Sequence, residues 1–334
     1  MLVIEPRFVD RERELETLRE LASYGSPLPI YLYGPEGCGK TRLLREFIKR
    51  VHGVTIYIDA LERRDPETAI VLNPVIEEVR KFVREVALQA IGPLGTYLAD
   101  RITLIVEKIA EKVSIEGRSL IVIVDDITRA IGLDRVEWYV KWLYELIGKL
   151  HRRYSPKSIL IVATTSEGKS LDLVMRHTYT VVKLIWNLPR EPFYELVQEL
   201  KPPNLNLREE LWRVTGGNPR ALIEIAHVHR WDIGSWLNTL ERRLTKVLTT
   251  IRSRNLENEL MKAIEDPDTV HTEATPRTEQ LQQILTEENL LIYKYVTTLH
   301  NTEVPSDLEL GIGKYYAWQI PAYRDILKKL LIQR

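Results

Sequence analysis

The sequence predicts an α/β fold: a mostly parallel sheet flanked by helices, followed by a helical segment and a small C-terminal domain. Three observations lead there. Apolar runs rich in β-branched residues recur at "IYLY" (30–33), "VTIYID" (54–59), "SLIVIVDDI" (119–127), "SILIVATTSEG" (158–168) and "TVVKLIW" (180–186). The uninterrupted runs at 30–33, 119–127 and 158–168 suit buried strands, while "VTIYID" alternates as a strand does and "TVVKLIW" is the expected last strand. Stretches with helical apolar spacing separate them, the alternation that builds a right-handed parallel sheet. From Pro189 the spacing becomes helical, and two apolar-aromatic segments appear only near the C-terminus. The expected organisation is therefore 1–188, 189–250 and 251–334.

In chain order, Asp10 is expected to N-cap a helix carrying Leu15, Leu18 and Leu21, closed by Gly25 and Pro27. The strand Ile30–Tyr33 leads into a glycine-rich loop, after which Leu43, Leu44, Phe47 and Ile48 recur at helical spacing. Asn73-Pro74 opens a helix with Ile76, Val79, Phe82, Val83 and Val86 on one face, stopped at Gly92-Pro93. Leu98, Ile102, Ile105, Ile109 and Val113 mark another helix, and Val136, Val140, Leu143, Ile147 and Leu150 a third. Beyond Pro189, helices are expected over Phe193 to Leu200, over "LREELWRV" and after "GGNP". Shorter helices follow from about Arg252, with breaks at Asp266-Pro267 and Thr275-Pro276. The segments "LLIYKYV" and "YYAWQI" are joined by a polar loop, and a last helix starts near Pro321.

Bulk properties narrow the class. At 334 residues the chain is long enough for two or three domains. It has 47 Lys plus Arg against 47 Asp plus Glu, which excludes a polycation that grips nucleic acid with its whole body. A single cysteine, Cys38, forms no internal disulfide and fits a reducing, cytoplasmic setting. The N-terminus turns charged too early for a signal peptide, and no apolar run is long enough to span a bilayer, so no membrane partner is expected. Dense Arg, Glu and Ile with little Cys and Met suit a thermophile.

The loop carries the first chemistry. Gly34, Gly39, Lys40 and Thr41 satisfy G-x-x-x-x-G-K-[ST], with Pro35, Glu36, Gly37 and Cys38 between and Arg42 after. Strand, glycine loop and helix is the order phosphate binding requires. Glycines let the backbone form a nest whose N–H groups face an anion at the positive end of the helix. Lys40 adds a point charge toward the outer phosphates, and the Thr41 hydroxyl is a Mg²⁺ ligand. Cys38 within this loop is expected to be a packed small residue. A partner site ends the third apolar run: Asp125 holds Mg²⁺, directly or through water, and Asp126 polarises an attacking water. ATP or ADP with Mg²⁺ is the expected ligand pair.

With these residues in place, the chain resembles the archaeal P-loop ATPases that join AAA+ and STAND features, and more distantly the archaeal origin-recognition initiators. "FVDRERE" (8–14) looks like the family's N-terminal signature. The resemblance implies that Val9 and Arg11 line an adenine pocket, although Asp10 stands where many relatives have Gly. Thr165 ends its strand where a first sensor residue sits in the family, with Thr164 and Ser166 as its neighbours and alternatives. "GGNPRAL" (216–222) resembles a lid motif in which Pro219 presses on the base and Arg220 is a second sensor. In "LVMRH" (173–177), Arg176 stands where AAA+ relatives reach a neighbouring subunit's nucleotide, which implies a homo-oligomer.

The C-terminal part looks like the winged-helix module of the same family, which implies duplex DNA as a candidate partner. Arg277, Gln280, Gln282 and Gln283 would line its recognition helix, and Lys314 with Lys294 its wing. From Glu241 on, 13 basic residues face 14 acidic ones, a small electrostatic footprint. His227 and His229, two apart, do not form a metal pair. Three outputs stay open: a slow nucleotide-gated ATPase switch, a DNA-binding initiator-like ATPase, and a non-hydrolysing scaffold. AAA+ relatives usually carry Glu where Asp126 stands, which implies slow turnover.

Overall fold

The structure, a computed structural model, describes residues 6–60, 70–73, 103–109, 115–126, 131–165 and 168–333. The expected helix from Asn73-Pro74 to Gly92-Pro93, the positions Leu98, Ile102 and Val113, and Ser166 lie outside these residues. The chain divides into two compact units: Arg11–Tyr33 with Lys40–Lys183, and Met1–Asp10 with Gly34–Gly39 and Leu184–Arg334.

The first of these holds the sheet. Its strands are β1 (Ile30–Tyr33), β2 (Val54–Asp59), β3 (Ile70–Asn73), β4 (Ser119–Asp125), β5 (Ser158–Thr165) and β6 (Val181–Leu184). Their order across the sheet is β3-β2-β4-β5-β1-β6. Strands β2, β4, β5 and β1 run parallel, while β3 pairs antiparallel with β2. Strand β3 was not expected from the sequence. The parallel strands are buried except at Asp59, which ends β2, and Ser119, which begins β4, as their apolar runs require.

Helix α1 (Glu12–Tyr24) packs on β5 and on α2 (Lys40–Arg50), and α3 (Val136–Tyr154) packs on β5. A core of Tyr31, Ile56, Val122, Val124, Ile161, Val140 and Leu143 lies beneath α3, joined by Ile105 and Ile109 from the helical residues 103–109. Helix α4 (Gly168–Met175) follows β5. Gly25 closes α1 as expected, its N–H bonding to the Leu21 carbonyl at 2.8 Å. The start of α1 differs from expectation: Arg11, not Asp10, precedes the first helical residue. Capping by a side chain needs an extended backbone, whereas Asp10 and Arg11 both have left-handed φ, 58° and 75°.

The second unit is largely helical. It comprises α5 (Arg190–Glu199), α6 (Leu207–Thr215), α7 (Pro219–Ile223) and a π turn, Glu224–Val228. These are followed by α8 (Ile233–Ser253), α9 (Glu257–Glu265), α10 (Thr269–Thr272) and α11 (Pro276–Glu287). The breaks at Asp266-Pro267 and Thr275-Pro276 fall where expected, and Thr275 and Thr278 form a reciprocal cap. The antiparallel pair β7 (Leu291–Tyr293) and β8 (Tyr316–Trp318) precedes α12 (Pro321–Ile332). One core gathers Val9, Phe193, Leu211, Leu222 and Trp236; another gathers Leu248, Leu260, Leu285 and Trp318. Leu237, Leu240 and Tyr323 pack against both, so α8 and α12 make the two cores continuous. Among the described residues no helix is long and apolar enough to cross a membrane.

Candidate nucleotide site

In the sheet unit the site residues stand at strand ends. Helix α2 begins at Lys40, so the first-turn amides, which have no partner inside the helix, include those of Lys40 and Thr41. Lys40 is 7% exposed. Strand β5 lies between β1 and β4, and Ala163 is in register with Val124, which puts Thr164 beside Asp125. The Thr164 hydroxyl donates to Asp125 Oδ1 at 2.5 Å and accepts the Asp126 N–H at 2.8 Å. Tyr57, on the other neighbouring strand, donates its hydroxyl to Asp125 Oδ2 at 2.7 Å. Burial, and then the Asp125 charge, push the Tyr57 phenol above its ordinary value. It therefore stays protonated and can only donate to the carboxylate. Arg45 lies over the Tyr57 ring at 5.9 Å and pairs with Asp59 at 3.5 Å.

Successive strand residues face opposite ways, so Thr165 points elsewhere: its hydroxyl meets Ser170 Oγ at 2.6 Å. Asp126 has φ 53°, a left-handed conformation that Asp and Asn tolerate best among residues with side chains. Asp125 is 2% exposed, and each of its oxygens, spending one lone pair on a hydroxyl, keeps another. Its carboxylate oxygens, like the Thr41 hydroxyl at the start of α2, are small, hard donors. Such donors fit Mg²⁺, which takes one or two protein oxygens and leaves the rest to water and phosphate. Among the described residues no cluster of three or more His, Cys, Asp or Glu could hold a metal by itself.

In the helical unit, Gly34–Gly39 is held by side chains from far along the chain. A Cβ on Gly34 would lie 1.9 Å from the Ile185 carbonyl oxygen, so only glycine fits. Cys38 Sγ, 1% exposed, also donates to that carbonyl at 3.3 Å, in keeping with a packing role. Gly37 has φ 82°, and a Cβ there would meet Arg220 Cβ at 2.5 Å. Pro35 accepts the Cys38 N–H at 3.2 Å, which turns the loop.

Glu36 is bracketed. Its N–H donates to Gln319 Oε1 at 2.8 Å, its carbonyl accepts from Asn218 Nδ2 at 2.9 Å, and its carboxylate pairs with Arg220 at 2.9 Å. Asn218 also caps α7 by accepting the Ala221 N–H at 3.1 Å, with Pro219 as the first helical residue. Arg220, 56% exposed at its side chain, therefore has an acidic partner within the loop itself. Val9 is buried in the helical core beside Leu188 and Phe193. Arg11, in the sheet unit, is 6% exposed and pairs with Glu14 at 2.8 Å. Arg42 lies in the first turns of α2 and pairs with Glu46 at 3.6 Å.

The remaining candidates sit in ordinary surroundings. Arg176, 60% exposed at its side chain, pairs with Glu137 at 3.1 Å. Arg277 binds Glu259 through two nitrogens at 2.6 and 2.9 Å and also donates to the Asn255 carbonyl. Gln282 donates to the Tyr316 hydroxyl at 2.6 Å and Gln283 to Glu287 at 2.8 Å. Lys294 is 5% exposed, donates to the Val304 carbonyl at 2.7 Å, and has its pKa lowered by burial. Buried in this way it cannot serve as a wing contact. Lys314 lies over Tyr315 and Tyr295 at 5.1 and 5.5 Å. Sequence reasoning missed Tyr57, Asn187 and Gln319, which carry no motif, and passed over Asn218 although it lies within "GGNPRAL".

A strand, glycine loop and helix, with a buried aspartate ending a parallel strand one place removed, define the P-loop nucleotide-binding class. The chain belongs to the family described as an ATPase domain predominantly from Archaea, whose model matches residues 8–225. It is 26% identical to an uncharacterized ATP-binding protein of Pyrococcus horikoshii over 80% of this chain and 87% of that protein. A Drosophila melanogaster origin recognition complex subunit 5 is 31% identical over 39% of this chain and 28% of its own length. A solved STAND protein with a tetratricopeptide repeat sensor, also from P. horikoshii, is 16% identical with a TM-score of 0.38. That match covers 98% of this chain and 43% of the STAND protein.

Proposed function

We propose that the protein binds ATP with Mg²⁺, hydrolyses it slowly, and uses the bound nucleotide as a conformational switch. The observation that carries this reading is the clamp on Asp125, a buried carboxylate fixed by Thr164 and Tyr57. The ATP-binding relative and the family support ATP as the nucleotide. In this reading the loop amides and Lys40 hold the β and γ phosphates, Thr41 and Asp125 hold the metal, and Asp126 orients water. Mg²⁺, when bound, neutralises charge developing on the phosphates. The chain's own residues supply positioning and charge stabilisation rather than covalent chemistry.

Thr164 acts through both aspartates and is a positioning residue; Thr165 retains its family role as sensor only if it leaves Ser170. Arg220, paired with Glu36, and Pro219 link the lid helix to the loop. Val9 and Arg11 belong to the adenine side. Arg176 reaches a second copy of this chain only by exchanging its Glu137 partner. The short side chain of Asp126 is the reason for slow turnover. A single buried cysteine supports a cytoplasmic setting.

The 189–250 segment is the lid and 251–334 the winged-helix-like module that the nucleotide moves. Binding of duplex DNA by that module is disfavoured, because Arg277 is neutralised by Glu259 and Lys294 is buried. Calorimetry with ATP and ADP in Mg²⁺, alongside phosphate release, tests the reading. The wild type should bind both and release phosphate at well below the usual enzyme median of about 10 s⁻¹. Lys40→Ala should abolish uptake. Well-folded wild type that takes up neither nucleotide, or Lys40→Ala that takes up both unchanged, overturns it.

A further inference from the structure

We propose that Gln319 is a positioning residue for the phosphate loop, and that bound ATP acts on the β7–β8 hairpin through it. This rests on the ATP reading above. Gln319 directly follows β8 and is 3% exposed, and a primary amide so buried must find partners. Its Oε1 accepts the Glu36 N–H at 2.8 Å, across 283 residues of sequence. Its own backbone is fixed on both sides: its N–H donates to the Leu290 carbonyl at 2.9 Å, and its carbonyl accepts Asn187 Nδ2 at 3.0 Å.

These bonds close a circuit. Asn187 Oδ1 accepts Asn218 Nδ2 at 2.9 Å, and the same Asn218 nitrogen donates to the Glu36 carbonyl at 2.9 Å. Both polar backbone groups of Glu36 are thus held by side-chain amides, and Asn187 bridges the Asn218 amide to the main chain of Gln319. The peptide planes fixed in this way lie immediately before Gly37, whose φ of 82° begins the left-handed turn of the loop. A loop whose entry is already set loses less freedom when it closes on phosphate, which raises affinity. The coupling is reciprocal: a nucleotide that tightens the loop tightens the segment carrying Gln319 by the same factor.

The alternative is a buried glutamine that only fills space. Such a residue would affect folding but would not couple nucleotide to the hairpin. The test uses the full chain, calorimetry, and hydrogen exchange with and without saturating ATP and Mg²⁺. In the wild type, ATP should slow exchange in peptides spanning residues 31–43 and also in those spanning 289–293 and 316–320. Gln319→Met, nearly isosteric but without the acceptor, should bind ATP about tenfold more weakly. At saturation it should still protect the loop but lose the protection of the hairpin peptides. Gln319→Glu keeps an acceptor and should restore that protection.

Wild-type loop protection with no change in the hairpin peptides overturns the proposal. So does Gln319→Met with wild-type affinity and wild-type hairpin protection. Should Gln319→Met fail to fold, the wild-type comparison still decides. Absence of any ATP uptake by the wild type removes the underlying ATP reading as well, which separates the two failures.

Discussion

Thr164 and Asp125 share a hydrogen bond of 2.5 Å between neighbouring parallel strands, and the same hydroxyl oxygen takes the Asp126 N–H at 2.8 Å. One side chain therefore sets both the carboxylate assigned to the metal and the backbone of the residue assigned to water. Thr164→Val keeps the shape but removes the hydroxyl, leaving Asp125 Oδ1 and a backbone amide short of a partner. Phosphate release should fall by about tenfold or more, while the Kd for ATP changes little, because the loop and Lys40 are untouched. Thr164→Ser, which keeps the hydroxyl, should recover most of the rate. Equal rates for Val and wild type would show that the clamp on Asp125 has no bearing on hydrolysis.

The strands were legible because burial on both faces leaves a local trace. The four runs at 30–33, 54–59, 119–125 and 158–165 are apolar over nearly their whole length and became β1, β2, β4 and β5. Strand β3 left no such trace. It is four residues at the sheet edge, Val71 is 40% exposed, and Asn73-Pro74 signals a helix start more strongly than a strand end. The phosphate loop was equally legible, since its glycines answer to a local backbone demand. Gln319 and Asn187 were not, because a lone amide acquires meaning only from a partner brought near by the fold. That Thr164 rather than Thr165 bonds Asp125 follows from the β4–β5 register, which no single sequence supplies.

Asp126 occupies a left-handed backbone position at φ 53°, which Asp and Asn tolerate better than longer side chains do. Asn tolerates the same conformation, so Asp126→Asn should fold with an unchanged melting temperature and bind ATP normally. Its phosphate release should drop by about tenfold or more. Asp126→Glu gains reach but adds a longer side chain where the backbone resists one, at about 1 kcal/mol. Thermal melts and single-turnover phosphate release measure the two effects separately. Identical turnover for Asn and wild type would favour a nucleotide-binding scaffold over an enzyme.

Glu46 anchors the outer turns of α2. Its carboxylate, about 10% exposed, lies 2.8 Å from Lys49, 3.4 Å from Arg50 and 3.6 Å from Arg42. The hydrogen bond from Lys49, aided by the charges of all three cations, holds its pKa below the usual carboxylate range against the opposing effect of burial. A group whose pKa is depressed on folding adds stability that is complete above its unfolded value and lost as pH falls through the folded one. Glu46→Gln should therefore lower stability by about 1 kcal/mol at neutral pH. The gap should close as the pH is taken from about 6 to about 3. Denaturant melts across that range check it, and a gap that widens toward acid would contradict the pairing.

Gly37 touches helix α7, its carbonyl accepting the Arg220 N–H at 3.3 Å. An alanine there would adopt φ 82° at a cost of about 1–2 kcal/mol. Its Cβ would also meet Arg220 Cβ at 2.5 Å and Asn218 Oδ1 at 2.9 Å. Arg220 Cβ is the rigid root of a side chain, not its flexible end, so the start of α7 must move and with it the Asn218 cap. Gly37→Ala should therefore lower stability by about 3 kcal/mol and weaken ATP binding by tenfold or more. Arg220→Gly removes the clashing atom but leaves the strained φ, and by itself costs about 1 kcal/mol of helix propensity. Because the two residues approach so closely, the double variant should be more stable than the sum of the single losses by at least about 1 kcal/mol. Strictly additive losses in denaturant melts would mean that the Arg220 side chain does not oppose a Cβ at Gly37, and that the strain there is backbone strain alone.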